Sequence, residues 1–94
     1  MKYYNIIVEP EAQGDLESIY RYIALNDTET KAQNFLHELK LQIGTLDTLP
    51  FRYRKSYYTD IADTYDLIYK GYTIVYKAVD NTVHILTIFR QKNY

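Results

Sequence analysis

Apolar residues in this chain recur first at every second position, then at every third or fourth, and then at every second again. In residues 3–8, Tyr4, Ile6 and Val8 share one side, the alternation of a short strand. Pro10 follows, and a helix tolerates proline in its first turn, where the missing N–H has no partner to lose. From there Ala12, Leu16, Ile19 and Ile23 fall on one stripe, which predicts an amphipathic helix to about Leu25. Glu9, Glu11 and Asp15 near its start favour the helix dipole, whereas Gly14 weakens it slightly. Residues 26–30 form a short polar break, in which Asn26 and Glu29 have the spacing of a capping box. A second stripe of Ala32, Phe35, Leu39, Ile43 and Leu46 predicts a helix that stops before Pro50. Two helices joined so closely pack as an antiparallel hairpin.

Beyond Pro50 the pattern is weak as far as residue 64. That stretch opens on a basic, aromatic run, Phe51-Arg52-Tyr53-Arg54-Lys55, and continues polar. Residues 65–69, 72–79 and 83–89 then read as three strands, with Lys70-Gly71 and Asp80-Asn81-Thr82 short enough to be hairpin turns. The predicted order is β-α-α-β-β-β in one domain spanning residues 1–94. It is an α+β class with an antiparallel-rich sheet and the N-terminal αα-hairpin packed on one face. Helices confined to one face would leave the other open to a ligand.

Composition narrows the chemistry. Hydrophobic residues make up 47% and charged residues 24%, an ordinary globular mixture. With no Cys, disulfides and thiolate catalysis are excluded, which suits a cytoplasmic setting. No apolar run approaches the roughly 20 residues of a membrane span, and no export leader is expected before the first strand. Charge is divided along the chain. Residues 1–50 carry four Lys/Arg and eight Asp/Glu, residues 51–94 seven and four. A basic C-terminal half behind an acidic helical half points to a polyanion or an acidic partner.

Three groups of side chains are candidates for function. Arg52, Arg54 and Lys55 are interleaved with Tyr53, Tyr57 and Tyr58, a mixture in which cations meet phosphate and rings stack on bases. A solvated loop paired to the acidic helices is the plainer alternative. Arg90, Lys92 and Tyr94 alternate near the C-terminus. There, cations would stabilise a charged phosphorane and a Tyr hydroxyl would serve as general acid or base. Lys70 and Lys77 lie on the predicted central hairpin, either as phosphate contacts on the open face or as snorkelling side chains at its rim. His37 is expected to face solvent and His84 to be a satisfied strand histidine. No metal cluster, Gly-rich phosphate loop or nucleophile triad is present in the sequence, so no metal or cofactor is expected.

The run Val8-Glu9-Pro10-Glu11-Ala12-Gln13-Gly14-Asp15-Leu16-Glu17-Ser18-Ile19-Tyr20-Arg21-Tyr22-Ile23 resembles the opening of RelE/ParE-superfamily toxins. Ala32, Phe35, Leu39, Ile43, Leu46, Pro50 and Arg52 follow the same pattern. So do Tyr72-Thr73-Ile74-Val75-Tyr76-Lys77 and Val83, Ile85, Ile88 and Arg90, so the likeness covers nearly the whole chain. The resemblance implies the growth-inhibiting toxin of a type II toxin–antitoxin pair, of the kind linked to plasmid stabilisation. A cognate antitoxin would neutralise it, and operator DNA would be reached only through that antitoxin. The helix signature and the Ile68-Tyr69-Lys70-Gly71-Tyr72 hairpin look more like the ParE branch, which implies DNA gyrase as the target. An mRNA interferase acting on the ribosome is the enzyme alternative. There the resemblance implies catalytic roles for Arg52, Arg54, Arg90 and Tyr94, with Lys55, Lys70, Lys77 and Lys92 as binding residues. A non-toxic relative that only binds antitoxin is the third alternative. The open sheet face, not the helix hairpin, is expected to meet the antitoxin.

Overall fold

The computed structural model describes residues 3–90. It contains β1 (Asn5–Val8), α1 (Pro10–Asn26), α2 (Glu29–Gly44), a 3-10 turn (Thr45–Asp47), β2 (Arg54–Lys55), β3 (Thr64–Tyr69), β4 (Tyr72–Val79) and β5 (Thr82–Arg90). The strands form one sheet in the order β1-β5-β4-β3-β2, with β1 parallel to β5 and every other pair antiparallel. The α+β class and the helical hairpin on one face are as the periodicity predicts. The two-residue strand β2 is an addition, too short to print a period on the sequence.

Local chemistry sets the element ends. The cap of α2 is Thr28 and not the expected Asn26: the Thr28 hydroxyl accepts the Lys31 N–H at 3.1 Å. Asn26 is unavailable because α1 runs through it, and its side-chain amide donates to the Tyr22 carbonyl at 2.8 Å. Leu46 belongs to the 3-10 turn after α2, still facing the core. Lys70 and Gly71 both have positive φ (47° and 84°), as do Asp80 and Asn81 (52° and 61°). Both hairpins therefore close on the two-residue mirror-image turns that match strand twist.

The helix stripes of Ala12, Ile19, Leu39 and Ile43 pack onto Leu67, Ile74, Tyr76, Val83, Ile85 and Ile88 of the sheet. Tyr76 is fully buried, and its hydroxyl donates to the Pro50 carbonyl at 2.7 Å, tying the chain after α2 to the core. On the edge away from β4, β5 has no strand beside it past Val8 among the described residues. Asp15 of α1 takes that place, accepting the Thr87 hydroxyl at 2.7 Å and the Ile88 N–H at 2.9 Å through one carboxylate oxygen.

The face away from the helices is not fully open, contrary to expectation. Thr64, Asp66, Thr73 and Val75 on that side are buried. Residues 56–63 fold across them: the Tyr57 N–H donates to Asp66 at 3.0 Å, and the Tyr58 ring meets Phe89 edge-on at 4.8 Å. These residues run over the sheet because the buried Asp66 carboxylate needs donors, and the Tyr57 amide supplies one. Ile7, Ile68, Lys77 and His84 remain at least partly exposed on this face.

Candidate functional site

Arg54 stands on β2 directly opposite Asp66 of β3. Its Nε lies 3.5 Å from Asp66 Oδ2, and its guanidinium covers the Tyr57 ring at 4.0 Å from the centroid. Asp66 has no exposed side-chain surface; the Arg54 guanidinium and the Tyr57 N–H both meet its Oδ2 and offset part of the burial cost, while Oδ1 has no hydrogen-bond partner among the described residues. Arg54 thus already has a partner within the fold. Arg52 is exposed, with its guanidinium 5.7 Å from the Tyr53 ring centroid. Lys55 is exposed on the same short edge strand, opposite Tyr65.

Arg90 ends β5 opposite Tyr72, whose side chain packs on the helix side of the sheet. Its Nη1 is 3.4 Å from the Tyr22 hydroxyl of α1, and the two line a cleft of about 310 Å³ with Asp15, Ile19 and Phe89. Asp66 and Val75 alternate with residues of the helix face, so Arg54 and Arg90 belong to opposite faces of the sheet. Tyr94 and Lys92 lie outside the described residues. Of the expected ribonuclease set, then, Arg52 and Arg54 are neighbours, whereas Arg90 is across the sheet from Arg54.

Lys70 occupies the first β-hairpin turn and pairs with Glu38 of α2 at 3.2 Å. That hydrogen bond, with the Glu38 charge behind it, raises the Lys70 pKa. Lys77 lies on β4 between Thr64 of β3 and His84 of β5. His84 in turn brings its Nδ1 within 2.9 Å of Glu9 Oε1. Neither Asp66 nor the Glu9–His84 pair stood out in the sequence. An acidic residue between Tyr65 and Leu67 in a strand was a usable signal for the first. For the second there was none, because the partners are 75 residues apart.

Among the described residues no three His, Cys, Asp or Glu side chains converge as a metal site, and no helix is long and apolar enough to cross a membrane.

The backbone arrangement is similar to that of known toxins. A structure described as a chromosomal ParDE toxin–antitoxin system from P. aeruginosa superposes with a TM-score of 0.82 at 15% identity, covering 96% of this chain and 98% of that one. The toxin–antitoxin complex RelBE2 from Mycobacterium tuberculosis gives 0.67 at 21% identity, covering 99% and 97%. At such identities the likeness is one of fold. No sequence among the curated proteins matches significantly. The family model for the ParE toxin of the type II toxin–antitoxin system parDE matches residues 6–93. With nearly its entire length matched, the chain belongs to the ParE toxin family of type II toxin–antitoxin systems.

Proposed function

We propose that this protein inhibits growth by binding DNA gyrase, without a catalytic residue of its own, and that a cognate antitoxin neutralises it in the cytoplasm. The observation that carries the reading is the separation of its cations. Arg54 is engaged by Asp66 and Tyr57 on one side of the sheet, and Arg90 meets Tyr22 on the other. Phosphoryl chemistry needs charges that converge on one phosphate, within hydrogen-bond reach of the reacting atoms. Arginines on opposite faces of the sheet, beside exposed aromatics, suit protein recognition better. Membership of the ParE family supports the same target, and two structural relatives described as a toxin–antitoxin system and complex support an antitoxin partner. Contact with operator DNA would come through that antitoxin.

The test is induction of the chain alone in bacteria, with RNA 5′-end mapping and a DNA-damage reporter on one culture. Chromosome breaks with intact mRNA are expected. New mRNA ends within codons would replace this reading with ribosome-dependent cleavage, and healthy growth would leave antitoxin binding alone.

A further inference from the structure

On the helix-free face, Ile7, His84, Lys77 and Thr64 are successive cross-strand partners on β1, β5, β4 and β3. The middle two differ from their surroundings. Lys77 follows five consecutive buried residues of β4, yet among the described residues it forms no ion pair within 4 Å. His84 is about one-third exposed and held through Nδ1 by Glu9, itself partly exposed. A carboxylate on one ring nitrogen fixes the plane of the imidazole and leaves Nε2 as the free nitrogen.

A histidine directly opposite Lys77 gives that ammonium no opposite charge across the strands, where opposite-charge pairs are the stabilising ones. The arrangement makes sense when an anion lies between them. Directly opposed side chains start about 5 Å apart at Cβ, close enough for both to reach one tetrahedral oxyanion. The imidazolium would donate Nδ1–H to Glu9 and Nε2–H to one oxygen, and the Lys77 ammonium would meet a second. Glu9 would offset the charge of a ring protonated in this way, so one anion completes the group with Lys77.

We propose that Lys77 and His84, with Glu9 orienting the imidazole, form a phosphate-binding site of the kind that takes a nucleic-acid backbone phosphate. No bond is made or broken there. The site does not depend on the gyrase reading, because it would bind phosphate in a chain inert toward gyrase.

The test follows the His84 ring proton resonances of the whole chain by NMR, first with inorganic phosphate and then with a short single-stranded oligodeoxynucleotide. A saturable shift is expected with either, weakened about tenfold or more in Lys77→Gln by loss of one charge-assisted hydrogen bond. Lys31→Gln, on the far helix, should leave it unchanged. Tighter binding of the oligonucleotide assigns the site to a nucleic-acid backbone, and equal binding assigns it to a small phosphate compound. Should Lys77→Gln not fold, His84→Asn read by phosphorus line broadening answers the same question. Absence of a saturable shift, or equal shifts with and without Lys77, would overturn the proposal.

Discussion

At the scale of single residues, Tyr76 carries a polar group into the deepest part of the core. Its hydroxyl has the Pro50 carbonyl as acceptor, and its ring stacks on Tyr65 at 5.5 Å between centroids. Tyr76→Phe leaves that carbonyl unpaired, so a loss of about 1–2 kcal/mol in urea unfolding is expected. Burial raises the Tyr76 pKa well above its ordinary value of 10.0, so the folded chain keeps a proton that the unfolded chain releases. The contribution is complete below pH 10 and declines as pH rises further. Above that point the native chain should lose up to ~1.4 kcal/mol per pH unit more than Tyr76→Phe, measured by denaturant midpoints across the alkaline range. Equal slopes would mean that the phenol ionises freely in the fold. Residues 72–79 were legible as a strand, but the bond from Tyr76 to Pro50 was not, since strand periodicity carries no information about a residue 26 positions away.

Among the elements, those that bury one whole face were readable from sequence. Ala12, Ile19, Leu39 and Ile43 repeat because each helix has a single buried stripe, and both hairpin turns announce themselves through Gly71 and Asn81, although Thr82, expected in the second turn, is the first residue of β5. Residues 51–64 were not readable for the opposite reason. Their shape comes from a few specific contacts, chiefly those of Asp66, and not from a repeated burial pattern. Replacing that carboxylate with an apolar side chain of suitable shape tests the point. In Asp66→Val, hydrogen exchange at the Tyr57 amide should quicken on the order of tenfold, while amides of the central strand β4 stay protected. Unchanged exchange at Tyr57 would show that the Tyr58–Phe89 contact and the Ser56–Thr64 and Thr64–Ile61 hydrogen bonds hold residues 56–63 in place without Asp66.

For the whole molecule, the sheet acts as a partition. Arg54 and Arg90 sit on opposite sides with no shared partner, and sites so separated usually act independently. Arg54→Ala and Arg90→Ala are therefore expected to add within about 0.5 kcal/mol in a stability cycle, and their effects on growth inhibition should multiply without interaction. Coupling above about 1 kcal/mol would place both in one working site. Sequence alternation suggested which neighbouring cations share a side, but it could not relate Arg54 to Arg90, because that depends on strand order and on the β5 register shift opposite Val75 and Tyr76.

The parallel pairing of β1 with β5 joins residues 5–8 to residues 82–85, almost the full span of the chain. A nascent polypeptide can pair its helices as soon as they emerge, but β1 must wait until residues 82–85 have been made. Contacts so distant in sequence are the slow ones to form. The finished sheet, and any surface that depends on it, therefore exists only once β5 has followed both helices out of the ribosome.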